Sequence, residues 1–262
     1  MGVGKMKTEN EEEKKTKLLE MFDKSIEFYK KAFNTEIKKY RFLPNWVNYK
    51  GYMLHKEDER ILLSSTEDEK EKQRKKKYYY YKYGTIVRVD FGVNIGSEFS
   101  GLHFAITLNK KDNAENPIIT VVPLTSKFKK QRLPLGKEVF SQTLDHLDKT
   151  YDGLLETITD CQAKIEELRS IENISKETRD AKSNEIGEAL LKVGKDLFEV
   201  KKVGNIYKKY NKDSFVRAND ITTISKNRIK PINKFDPSGK IKLQPELMAE
   251  INKELLTLFI KS

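Results

Sequence analysis

Apolar residues recur at Leu19, Phe22, Ile26, Tyr29, Phe33 and Ile37 in alternating steps of three and four, which predicts one face of a helix. Asn10 followed by Glu11, Glu12 and Glu13 fits its start, a capping side chain with acids set against the positive end of the helix dipole. Leu43-Pro44-Asn45 is expected to stop it, because proline disfavours helix in the residue before it. Residues 46–83 open with aromatics (Trp46, Tyr49, Tyr52), pass through the charged run STEDEKEKQRKKK and end at Tyr78–Tyr81; they read as a linker. From Gly84 the period changes to two. Thr85, Val87, Val89 and Phe91 alternate with Ile86, Arg88 and Asp90, and both sets hold β-branched or aromatic residues, as in a barrel strand. HFAITLN and IITVVPLT predict two more strands, joined by a polar turn over 110–116, so a small antiparallel barrel or roll is expected.

After Phe140 a strict four-three rhythm sets in: Phe140, Leu144, Leu147, Tyr151, Leu154, Ile158, Cys161, Ile165 and Leu168. It breaks at Asn173–Ser175 and resumes at Ile186, Leu190, Val193, Leu197 and Val200, which predicts a coiled-coil hairpin inserted into the barrel. Strand-like sequence returns at Ser214–Ser225, and a last helix is expected from Pro245, with Leu247, Ile251, Leu255 and Leu258 on one side. The expected organisation is an N-terminal helical extension and linker (1–83), a barrel (84–139 and 204–262) and a helical insertion (140–203).

Composition narrows the function classes. Lys and Arg number 51 against 40 Asp and Glu, a formal net charge of +11 that favours a polyanionic partner, although solvated lysine-rich helices produce the same excess. The single cysteine, Cys161, cannot form an internal disulfide, and no Cys/His cluster has metal-ligand spacing, so the reading is of a metal-free, intracellular protein with no cofactor. The first residues lack the apolar core of a signal peptide, and no run is long and apolar enough to span a membrane, so a soluble cytoplasmic protein is expected. Lys75–Lys77 beside Tyr78–Tyr81 mixes charge with stacking surfaces, as single-strand binders do, or supplies tyrosines to a core. His55 and His146 belong to no motif.

Four blocks in order carry a resemblance: GTIVRVDFG at 84–92, GSEFSGLHF at 96–104, VVPLTSK at 121–127 and ITTISKNRI at 221–229. They resemble the G-D-I-V-x-V-D-F, G-S-E-x-x-G-x-R-P, V-V-P-L-T-S-K and R-T-I-S-K-x-R-I segments of MazF/PemK toxins. The resemblance covers 84–135 and 204–262. It implies an α+β protein built on a small SH3-like antiparallel β-barrel, a homodimer that is the toxin of a toxin–antitoxin pair. It also implies metal-independent endoribonuclease activity on single-stranded mRNA. A ribose 2′-hydroxyl attacks the adjacent phosphate and leaves 2′,3′-cyclic phosphate and 5′-hydroxyl ends. The N-terminal helix and the hairpin, with their long apolar seams, are expected to offer surfaces to the antitoxin or to a second copy.

That reaction needs a base for the 2′-proton, an acid for the departing 5′-oxygen, and donors or cations for the charge growing on phosphate. The family arginine of G-x-R-P falls on His103 and the P-L-T threonine on Thr125. Histidine can both take and give a proton, which arginine does not do at physiological pH. His103 is thus the expected acid/base and Thr125 the expected phosphate-stabilising group. Ser97, Glu98 and Gly101 precede His103 as candidates to approach phosphate, orient the imidazole or meet a base edge. Ser126, Lys127, Lys129, Lys130 and Arg132 form a basic tract that would hold phosphate without reading sequence. Asp220, Thr223 and Arg228 are expected to assist from the returning block, where Thr222 replaces the family arginine. Two alternatives remain: a toxin of the same barrel class that binds a protein such as DNA gyrase, and a catalytically inactive RNA-binding relative.

Overall fold

The computed structural model describes residues 3–62, 78–130, 132–136, 138–210 and 214–260. Among them the chain is α+β, with five helices and six antiparallel strands. It divides into two compact units, Met1–Lys76 with Phe91–Gly101, and Lys77–Asp90 with Leu102–Ser262.

The first unit holds helices α1 (Val3–Phe33) and α2 (Leu43–Leu62), joined through a 3-10 turn at Lys38–Phe42. The sequence periodicity predicts one helix through Ile37, yet α1 ends at Phe33. Pro44 begins a helix here rather than ending one: in a first turn its missing N–H is one that no helix bonds internally. Leu43 accepts helical dihedrals (φ −58, ψ −45) in spite of the proline after it. The linker expected from residue 46 is therefore helical as far as Leu62, and 63–77 lie outside the described residues. The apolar stripe of α1 is open to solvent, with Leu19 and Phe22 more than half exposed. The loop 91–101 belongs to this unit. Lys39 Nζ donates to the carbonyls of Asn94 and Gly96, each at 2.6 Å, and the Asn94 amide braces the loop through the carbonyls of Phe91 and Phe99.

The second unit is built on strands β1 (Ile86–Asp90), β2 (Leu102–Thr107), β3 (Ile118–Thr125), β4 (Leu133–Gly136), β5 (Ser214–Val216) and β6 (Thr222–Ser225). Their order is β1-β2-β3-β5-β4, and the first half of β3 also carries β6. The short β4 has no alternation long enough to predict from sequence. Two long helices, α3 (Glu138–Ser170) and α4 (Lys176–Tyr210), form the expected antiparallel hairpin. Ser175 Oγ accepts the N–H of Thr178 at 3.2 Å and caps α4 where the rhythm breaks. A last helix, α5 (Pro245–Phe259), starts at the predicted proline and buries Met248 and Ile251.

Both faces of the central strands are covered. One face presents Ile86, Phe104, Ile106, Val122 and Leu124 to Phe140, Leu144, Leu147, Val200, Val203 and Tyr207 at the base of the hairpin. The rings of Phe104, Phe140 and Tyr207 meet with centroids 5.1 to 5.8 Å apart. The other face carries a second buried layer of Val87, Val89, Ala105, Ile119, Val121 and Ile224. This double burial explains why each alternate set of β1 holds a fully buried apolar residue, Ile86 on one face and Val87 with Val89 on the other. The outer edge of β1 meets the segment 229–243 through single bridges, Thr85 with Lys242 and Val89 with Ile229, and through Ile86 N–H to the Ile241 carbonyl at 2.9 Å. No ladder among the described residues joins β6 to β1, so the expected barrel is here an open sheet.

Candidate functional site

β2 places His103 opposite Val89, whose other side is bridged by Ile229; the imidazole is half-buried. Thr125 ends β3 opposite Phe215 and is 8% exposed. The last ladder pair between β2 and β3 is Ala105 with Pro123. His103 and Thr125 each lie two residues beyond it, so the pleat turns both side chains to the face of that pair. This is the face of the second buried layer, and the two residues stand where its apolar side chains end.

A third polar residue joins that face. Arg217 N–H donates to the Pro123 carbonyl at 2.9 Å, which sets Arg217 opposite Pro123 and turns its side chain to the His103 side. Its Nε bonds Asp220 Oδ2 at 2.5 Å. Arg132 lies in the same charge field. Burial, then the neighbouring Arg217 guanidinium, lowers its pKa, and the Asp220 carboxylate opposes the shift. Two guanidiniums around one carboxylate leave a local excess of positive charge. Thr125 connects to this group through the backbone: its Oγ1 accepts the Lys127 N–H at 3.2 Å, and Arg132 Nη1 donates to the Lys127 carbonyl at 2.7 Å. That bond uses a lone pair of the threonine hydroxyl and leaves its hydrogen to donate.

The remaining expected residues divide. Ser126, Lys127, Lys129 and Lys130 lie exposed in the turn after β3, as a solvated basic tract. Thr223 pairs with Thr120, and their hydroxyls are 2.9 Å apart on the face opposite to His103. Arg228 Nε donates to the Asp90 carbonyl at 2.8 Å and Lys230 Nζ meets the Asp90 carboxylate at 2.8 Å, so both tie down the end of β1. Asp220 is occupied by Arg217. Ser97, Glu98 and Gly101 belong to the other unit, with Ser97 and Glu98 exposed. Gly101 (φ +94) closes that loop: its N–H donates to the Gly92 carbonyl at 2.7 Å and its carbonyl accepts from Phe91 at 2.8 Å. Its glycine is needed for backbone geometry.

Sequence reasoning missed Arg217. The available signal was an arginine alternating with Phe215 in SFVRAND, but its face depends on pairing with β3, more than 90 residues earlier in the chain. Tyr79 and Tyr80 are exposed, while Tyr81 is half-buried; Lys75–Lys77 lie outside the described residues. Among the described residues no group of three or more His, Cys, Asp or Glu could hold a metal ion, and no helix is long and apolar enough to cross a membrane. No protein-family model matches this chain, and no curated protein matches it in sequence.

Proposed function

We propose that the chain is the toxin of a toxin–antitoxin pair, a metal-independent endoribonuclease that cuts single-stranded mRNA. The carrying observation is that His103 and Thr125 share one face of the sheet, with Arg217 turned to the same face. The sheet is read as a small SH3-like barrel whose interior is the second apolar layer, with segment 229–243 standing along the open edge of β1. The two single bridges on that edge support this reading.

In the proposed reaction the His103 imidazole takes the 2′-hydroxyl proton as the 2′-oxygen bonds to phosphorus. The P–O5′ bond breaks with its electron pair on the leaving oxygen, which takes up the proton that the imidazolium then gives back, so that histidine ends neutral. Products are a 2′,3′-cyclic phosphate and a 5′-hydroxyl, with no water consumed. The Thr125 hydroxyl donates to a non-bridging phosphate oxygen, and the guanidiniums of Arg217 and Arg132 offset the charge that grows there. A histidine in place of the family arginine suits proton transfer, and Arg217 supplies the cation that the replacement removes. The exposed lysines 127, 129 and 130 add salt-dependent attraction for the strand.

The test is incubation of the purified chain with a long single-stranded RNA in the presence of chelator, followed by analysis of fragment ends. Cyclic phosphate and 5′-hydroxyl ends support the proposal. Intact RNA together with inhibited DNA supercoiling would instead favour a gyrase-binding toxin, and intact RNA that is bound would favour an inactive RNA-binding protein.

A further inference from the structure

Leu191 and Phe198 of α4 are each 68% exposed. Each stands two residues, or about 200° of helical turn, from a buried valine, Val193 and Val200 respectively, so the pair lies on the side of α4 opposite to the one that closes the hairpin. Around them the helix surface forms an apolar groove of about 860 Å³, lined also by Gly187, Leu190 and Gly194.

The two glycines are not explained within the chain. Inside a helix glycine costs about 1 kcal/mol relative to alanine. An added Cβ at Gly187 or Gly194 meets nothing within 4 Å, so no neighbour in the same chain requires the missing side chain. Two large apolar side chains interleaved with two gaps make a surface that fits a copy of itself. An antiparallel copy of α4, paired about the midpoint of Lys192 and Val193, sets Leu191 against Gly194 of the second copy and Phe198 against Gly187 of the second copy. The twofold axis repeats both contacts, and every layer pairs large with small. A parallel copy would set glycine against glycine and Phe198 against Phe198, which alternates gaps with crowding.

Charge selects the same orientation. Glu188 and Lys195 each follow one of the glycines on one flank of the stripe, and both are exposed. Antiparallel pairing puts Glu188 of each copy beside Lys195 of the other, whereas parallel pairing brings no opposite charges together on that flank. Such exposed pairs fix orientation more than affinity. The next layers outward, Asn184 with Lys201 and Asp180 with Asn205, are polar, so the contact ends where the apolar residues end.

We propose that this face of α4 is the contact of a reversible homodimer, in which Leu191 and Phe198 of each copy fill the hollows at Gly194 and Gly187 of the other. The occupant of the groove is a second copy of this chain. The proposal does not draw on the ribonuclease reading.

The experiment is analytical ultracentrifugation of the full chain across the micromolar concentration range. The expected result is concentration-dependent self-association. Phe198→Glu weakens it by about a hundredfold or more and halves the assembly mass, with the melting temperature of the dissociated chain unchanged because the side chain is exposed there. Gly194→Leu also weakens association, yet raises that melting temperature, because it fills the hollow while removing a glycine from the helix. Glu188→Lys and Lys195→Glu each weaken association several-fold, and the two together restore it. The proposal is overturned if the chain is monomeric throughout the micromolar range. It is equally overturned if Phe198→Glu and Gly194→Leu associate as wild type does, or if the double charge reversal associates no better than the single ones.

Discussion

Lys226 Nζ lies 2.8 Å from the Asp112 carboxylate, with the two side chains 3% and 0% exposed. The pair joins the polar turn before β3 to the 3-10 turn after β6, and neither charge stands alone. Asp112 also accepts the Tyr81 N–H at 2.9 Å, and Lys226 also donates to the Asn113 carbonyl at 3.0 Å. Removing one member strands the other in a dry site. Asp112→Ala should therefore destabilise the sheet unit by about 3–5 kcal/mol. Denaturant unfolding followed by far-ultraviolet dichroism measures it, and an unchanged midpoint would contradict the assigned burial.

Gly92 tests the packing of the helical unit. Its φ is +76, and an added Cβ would fall 2.4 Å from the Trp46 ring. Gly96 also has positive φ (+53) but has open space around it. Gly92→Ala should displace Trp46 and shift the emission of the chain's single tryptophan, whereas Gly96→Ala brings backbone strain of only about 1–3 kcal/mol and leaves the emission in place. Equal spectra for the two variants would contradict this contact.

Alkaline pH should unfold the sheet unit. Burial, with Tyr79 and Asp112 nearby, pushes the Tyr81 phenol from 10.0 up to about 12. Burial and the adjacent Asp236 also raise Tyr207. The folded state holds these protons more tightly than the unfolded chain, so the stability they give is complete below about pH 10 and is lost as pH rises through 12. Tyr81→Phe should flatten this decline, as read by denaturant midpoints between pH 9 and pH 12. A variant with the wild-type pH slope would show that Tyr81 is not the titrating group.

Arg217 and Thr223 offer a contrast within the returning segment, since they sit on opposite faces of the sheet. Loss of a donor aimed at developing charge typically lowers kcat by about 10²–10³-fold. Arg217→Gln should lower the RNA cleavage rate by something approaching that range, while Thr223→Ala leaves it nearly unchanged. Comparable losses from both would remove the assignment of the site to one face.

Strands β1 to β3, the hairpin and the start of α5 were legible because period and punctuation are local. The seam from Phe140 to Leu168 and the break at Asn173–Ser175 need no tertiary knowledge, and the structure has them. What local patterns miss depends on distant partners. Pro44 can end or begin a helix, and the sequence before it does not say which. Leu133–Gly136 becomes a strand only because β5 supplies its pairing. Arg217 shares a face with His103 only through the register of β5 on β3. Periodicity shows the apolar stripe of α1 but carries no information on what covers it. The burial of Lys226 has no local signal, because it is set by Asp112, 114 residues away.

The central claim is that His103 handles the proton in RNA cleavage, and the most direct measurement is the pH–rate profile of cleavage by wild type and His103→Ala on one RNA, with chelator present. The account predicts a wild-type profile that bends in the range where an imidazole titrates, at about pH 6.5 for an unperturbed group. It also predicts a loss of about 10²–10⁴-fold in His103→Ala, with the bend gone. Cleavage by His103→Ala at the wild-type rate, or with the same bend, would contradict it.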